Sequence, residues 1–120
     1  IEIIEDTGTK QTTPGAKYKH YSPDTKVQLI NRLDLIDKVL NRKSICILTT
    51  SDNIFKVKKL GYQYIDLGNN ILDIATNFYH NLFLLDKKNL DIGYFFGIDF
   101  NNSSTSKALY NRLEKVIIQS

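Results

Sequence analysis

The sequence predicts an α/β domain: a three-layer sandwich with a mainly parallel sheet of about four or five strands, preceded by an extended linker. Three observations carry this. Apolar segments with strand character alternate with segments of helical period from Lys26 onward. The connections between them are short, which favours helical crossovers covering both faces of a parallel sheet. Residues 1–25 share neither pattern, so the domain is placed at 26–120 and the linker at 1–25.

Ile1, Ile3 and Ile4 resemble a strand end, and the following Asp6 to Gly15 is polar, with two glycines and a proline. A run without hydrophobic period and with such breakers is an extended connector. Ser22-Pro23-Asp24 closes it, because proline fixes its own φ and restricts its predecessor. Val27, Leu29 and Ile30 then form a short strand. Leu33 to Leu40 places apolar residues at 33, 35, 36, 39 and 40, the spacing of a one-sided helix, with Asn31 or Asp34 as cap. Ser44 to Thr49 is continuously apolar and β-branched, as in a strand buried on both faces.

Ser51, Asp52 or Asn53 offers a cap for a helix over Ile54 to Leu60, which Gly61 stops. Tyr62 to Leu67 alternates as a third strand, and Gly68-Asn69-Asn70 turns. Ile71 to Lys88 is the longest helical stretch. Ile92 to Ile98 is a fourth strand, in which Gly93 and Gly97 permit close packing. A polar loop, Asn101 to Ser106, leads to a last helix over Ala108 to Ile118, with Ala108, Leu109, Leu113, Val116 and Ile117 facing inward. The layout is Rossmann-like.

Composition narrows the function. At 42% hydrophobic in 120 residues, the chain buries a core without metal or disulfide support. Its single cysteine, Cys46, sits in an apolar run and is expected to be an inert core residue in a reducing, cytoplasmic setting. No stretch approaches the ~20 apolar residues of a membrane span. The chain has no methionine, as expected of a piece of something longer. A net charge of +3 is too small to argue nucleic-acid binding, although the pI near 8.9 keeps a tRNA-contacting role as a weaker reading.

The fold's usual site signatures are missing. The glycine fingerprint G-x-G-x-x-G is absent after the first strand, and no phosphate loop ending in Gly-Lys-Ser or Gly-Lys-Thr occurs. His20 and His80 lie in no metal-ligand spacing, and His80 is expected at the surface. What remains is the strip Thr13 to Pro23. In an extended segment Lys17, Lys19 and Tyr21 share one side, and Tyr18 and His20 the other. The first side suits a phosphate-bearing ligand, since ammonium and phenol groups donate to phosphate oxygens. The alternative is a basic aromatic linker that packs on its own domain.

This strip resembles the inter-domain linker of the longer threonylcarbamoyl-AMP synthases, whose pattern runs approximately S-P-G-M-K-Y-R-H-Y-A-P. Pro14, Gly15, Lys17, Tyr18, His20, Tyr21 and Pro23 are kept, while Ala16, Lys19 and Ser22 depart. The family's closing pattern, roughly G-L-G-x-A-x-x-N-R-L-x-K-A, is matched by Ala108, Asn111, Arg112, Leu113 and Lys115, with Asp99 in the preceding acidic place. Its glycines are replaced by Ser104, Thr105 and Ser106. Leu82 and Asp86 fit an L-R-x-L-D pattern, with Phe83 in place of arginine. The resemblance covers about residues 11–120.

The resemblance implies an accessory C-terminal domain whose parent, a nucleotidyltransferase, makes L-threonylcarbamoyladenylate from L-threonine, bicarbonate and ATP with Mg2+, for threonylcarbamoyladenosine formation in tRNA. The chemistry would belong to a YrdC-like N-terminal domain absent from these residues. This stretch is then expected to hold no catalytic residue, cofactor or metal of its own, and to contact ATP, L-threonine and bicarbonate only through that domain; direct tRNA binding is not expected. Pro14, Gly15, Lys17, Tyr18, Lys19, His20 and Tyr21 are the candidate substrate- or ATP-contacting residues of a lid-like linker. Asn111, Arg112 and Lys115 are candidate domain contacts, against the plainer reading of cations near a helix C-terminus. The competing class is a non-catalytic module binding a nucleotide or a protein at the C-terminal ends of its strands.

Overall fold

The two most continuously apolar runs of the sequence become the two central strands. The computed structural model describes residues 21–36 and 41–119, with side chains through Ile117. Its strands are β1 (Lys26–Ile30), β2 (Ile45–Thr49), β3 (Gln63–Asp66) and β4 (Ile92–Phe96). They form one four-stranded, all-parallel sheet in the order β1-β4-β2-β3. Ile92 of β4 registers with both Lys26 and Ile45, and Cys46 of β2 with Gln63. Every residue of β2 and β4 is buried, whereas the edge strands carry Lys26, Gln63 and Asp66 at exposed positions. Only a strand covered above, below and on both sides tolerates an unbroken apolar run.

The helices are α1 (Ile54–Lys59), α2 (Ile71–Thr76), α3 (Phe78–Lys87) and α4 (Ser104–Gln119). Successive strand residues point to opposite faces, so each strand feeds two cores. Cys46, Leu48 and Phe95 pack under Ile74, Phe78, Leu82, Leu85, Leu109 and Leu113 from α2, α3 and α4. Ile45, Ile47, Tyr94 and Phe96 face the other way, beneath Val57 of α1 and Ile36. Each fully buried leucine or phenylalanine contributes roughly 1.5–3 kcal/mol. Gly93 brings α3 close to β4: a Cβ there would lie 2.6 Å from Leu85 Cδ2 and 3.1 Å from Leu48 Cδ1. Cys46 is fully buried, and burial pushes its thiol up to about 12, with Lys88 pulling weakly the other way. It is therefore a protonated core residue at neutral pH.

Several elements differ from expectation. The helix expected over Leu33 to Leu40 is a single 3-10 turn at Leu33–Leu35, and Ile36 is extended at φ −70°, ψ 132°. Neither Asn31 nor Asp34 caps it; Asp34 accepts from Arg32 Nε at 3.0 Å and Arg32 Nη2 at 2.5 Å, and Ile36 turns into the core. Residues 37–40 lie outside the described part. A 3-10 turn over Ser51–Asn53 leads into α1 without a side-chain cap on either element. Gly61 at φ +91° ends that helix.

The long helix breaks at Asn77 (φ −98°, ψ 11°), whose N–H closes back on Asp73 O. Ile74, Phe78, Leu82 and Leu85 keep one-face helical spacing across the break and reach one core. The last helix begins four residues before Ala108, at Ser104, because Ser103 and Ser106 cap each other: Ser106 N–H donates to Ser103 Oγ at 3.1 Å, and Ser103 N–H to Ser106 Oγ at 3.0 Å. Ala108 faces solvent rather than the core. Among the described residues, no helix is long and apolar enough to cross a membrane.

Candidate functional site, an anchor for the incoming segment

The best-organised polar contact of the domain lies where the chain enters it. Leu82 and Leu85 turn α3 toward the core, which leaves Phe83 and Asp86, three residues apart, as neighbours on its flank. Asp86 gathers the entering chain. The Tyr21 hydroxyl donates to Asp86 Oδ2 at 2.6 Å, Asp24 N–H to the same oxygen at 3.0 Å, and Thr25 N–H to Oδ1 at 2.9 Å. The Tyr21 ring meets Phe83 edge-on at 5.8 Å. Phe83 is stacked by His80 at 6.4 Å and covered by the Lys87 ammonium at 5.2 Å. The residue standing where the family pattern has arginine thus supplies the ring against which the linker's last tyrosine packs.

The protonation states suit this clasp. Burial alone would raise the Asp86 carboxyl, but the Tyr21 hydroxyl and the amides of Asp24 and Thr25 outweigh it and hold the group below its ordinary range. Burial, the hydrogen bond to Asp86 and its charge push the Tyr21 phenol up to about 12. At neutral pH Asp86 is an acceptor only and Tyr21 a donor, so each charge state reinforces the other's role.

Of the linker residues singled out above, Tyr21 is described and its hydroxyl is engaged by Asp86. Pro14, Gly15, Lys17, Tyr18, Lys19 and His20 lie outside the described residues. Asn111, Arg112 and Lys115 are all exposed on α4, and Arg112 Nη1 reaches Ala75 O in the last turn of α2 at 3.4 Å. Asp99 accepts from Asn101 N–H at 2.9 Å, a local turn. The anchoring role of Asp86 escaped sequence reasoning; its signals were its fit to the L-R-x-L-D pattern and its place as a carboxylate closing the apolar face of a helix.

Two other places bear on ligands. An open depression of about 490 Å³ lies at the N-terminal ends of β1 and β4. Asp24, Asp86 and Asp91 line it against a single lysine, Lys26, a charge balance that repels phosphate. The C-terminal strand ends, where parallel α/β sheets usually take ligands, are filled by the chain's own side chains. Thr49 Oγ1 donates to Phe96 O at 2.6 Å, Ser51 Oγ to Asp66 Oδ1 at 2.6 Å, and Asn53 Nδ2 to Thr50 Oγ1 at 3.0 Å. Gly97 at φ +86° lies so close that a Cβ there would be 2.4 Å from Asn53 Nδ2. Among the described residues, no cluster of three His, Cys, Asp or Glu is placed to hold a metal.

These contacts define a parallel α/β body whose Asp86 holds the segment that enters it. The chain belongs to the family described as the threonylcarbamoyl-AMP synthase C-terminal domain, whose model matches residues 1–116. Its fold is similar to that of P. abyssi Sua5, solved as a crystal structure complexed with L-threonine, with a TM-score of 0.55 at 20% identity. That match covers 84% of this chain and 30% of the other, so the chain spans less than a third of that protein's length.

Proposed function

We propose that this stretch is the accessory domain and lid-bearing linker of an enzyme that forms L-threonylcarbamoyladenylate from L-threonine, bicarbonate and ATP with Mg2+, a nucleotidyl transfer that serves threonylcarbamoyladenosine formation in tRNA. The reaction belongs to a YrdC-like domain ahead of the linker, in the cytoplasm. The domain described here carries no step of it. Its task is to hold one end of the linker so that Pro14 to His20 reach back over the catalytic cleft.

The observation that carries this reading is the three-fold grip of Asp86 on Tyr21, Asp24 and Thr25. A lid gains rate by excluding water and by arriving in one geometry, and a fixed end reduces the conformations it must search. Lys17, Lys19 and His20 then supply positive charge to ATP phosphates or departing pyrophosphate, and Pro14 stiffens the strip. Lys19, without the planar fork of arginine, grips less specifically than the family's usual residue.

The test uses the full-length parent enzyme. Alanine at Lys17 and His20 should slow pyrophosphate release at least tenfold while leaving the melting temperature of the C-terminal domain unchanged. Unchanged turnover would refute the lid. The competing nucleotide-binding reading predicts tight ATP or AMP binding by this isolated chain in calorimetry, which the filled strand ends oppose.

A further inference from the structure

The whole-chain charge of +3 conceals a strong local asymmetry. Between residues 38 and 65 the sequence holds Lys38, Arg42, Lys43, Lys56, Lys58 and Lys59 against one acid, Asp52. Five of these cations are described, and all five are exposed. Among the described residues, none of the five lies within ion-pair distance of a carboxylate. Asp52 accepts from Thr50 Oγ1 at 2.5 Å and precedes α1, while Lys56, Lys58 and Lys59 crowd its last turns.

Arg42 joins the three lysines of α1. Arg42 Nη1 donates to Leu60 O at 2.6 Å, which brings it beside the C-terminal end of α1. Its guanidinium lies 5.3 Å from the Tyr62 ring centroid. Phe55, on the same short helix, is 76% exposed, and the Lys59 ammonium sits 5.9 Å from its ring. One cation at this end suffices to meet the helix carbonyls, and Arg42 already does so. The three lysines are therefore not needed to meet those carbonyls, and the Phe55 ring stands largely open to solvent. Cations along a ridge with an aromatic face between them are the arrangement that binds single-stranded nucleic acid: ammonium groups meet successive phosphates and the ring takes a base.

We infer that the ridge formed by Phe55, Lys56, Lys58, Lys59 and Arg42 is a docking surface for a single-stranded RNA segment, held without sequence preference. The surface is remote from the Asp86 clasp in sequence and in element, so it stands independently of the lid reading.

The test measures fluorescence anisotropy of a fluorescein-labelled single-stranded oligouridylate of about 12 nucleotides with the 120-residue chain, across a salt series. Binding should weaken steeply with salt, and the slope of log K against log [salt] should fall by about 0.7 for each lysine replaced by glutamine. K56Q/K58Q/K59Q should weaken binding at least tenfold. F55A should weaken oligouridylate binding about fivefold or more and leave binding of heparin, which has charge but no bases, unchanged. These side chains are exposed, so circular dichroism should report a native fold for each variant. Absence of binding at low salt, or binding indifferent to the lysines, would overturn the inference. Equal loss of heparin and oligouridylate binding in F55A, or tighter binding of polyglutamate than of oligouridylate, would overturn it in favour of an acidic protein partner.

Discussion

Asp86 holds more of the functional argument than any other side chain, and its contacts rank the consequences of changing it. Tyr21→Phe keeps the ring against Phe83 and removes one donor. Asp86→Ala strands that hydroxyl and also the amides of Asp24 and Thr25, of which Thr25 is buried. Hydrogen bonds to a charged acceptor contribute about 1.5–3 kcal/mol each, and the exposed Asp24 amide can turn to water. Urea denaturation should show Tyr21→Phe losing about 1 kcal/mol and Asp86→Ala about 2 kcal/mol or more. Asp86→Asn should fall between them, since a neutral carbonyl still accepts. If the three variants were equally stable, the clasp would be decorative. Little of this was legible in the sequence. Tyr21 stood out within a proline-bracketed strip, but the partner is 65 residues downstream. Phe83 registered only as a departure from a pattern; its use as a packing surface is a tertiary fact.

Among elements, the strands were the most legible and the helix ends the least. The apolar runs at Ile45–Thr49 and Ile92–Phe96 announce central strands because burial on every side leaves no room for polar alternation. Their adjacency in the sheet was invisible, since it is a pairing between strands more than forty residues apart. The early start of α4 comes from side chains and amides closing local hydrogen-bond rings, which apolar period does not report. The cap of α4 has a measurable weight. Ser106 is fully buried, and its oxygen accepts from two backbone amides, Asn102 and Ser103. Ser106→Ala should cost about 1–2 kcal/mol, and hydrogen exchange should accelerate first at the amides of Asn102 and Ser103. Uniform acceleration over α4 would instead mean that the serine contributes through core packing.

For the molecule as a whole, the clasp sets a pH window. The Asp86 carboxyl is depressed in the folded state, so its contribution is present above the ordinary carboxylate range and is lost as pH falls through that group's lower folded value. The Tyr21 phenol is raised to about 12, so its contribution is complete below its ordinary value near 10 and is lost as pH climbs toward 12. Unfolding of the domain in urea should accordingly be slow and flat from about pH 5 to 9. It should quicken in acid, with Asp86→Asn removing the acid limb. An acid limb that persisted in Asp86→Asn would place the responsible group elsewhere.

The strand order carries a temporal consequence. Of the domain's four strands, the first to leave the ribosome has a single neighbour, and that neighbour is the last of the four to be made. Nothing upstream of Lys26 can be fastened until the polypeptide has been synthesised past Phe96, because the carboxylate that fastens it and the strand that seats it both arrive late. A nascent chain halted before Phe96 would carry a loose leash. Fastening of the entering segment is thereby made conditional on synthesis of the fourth strand.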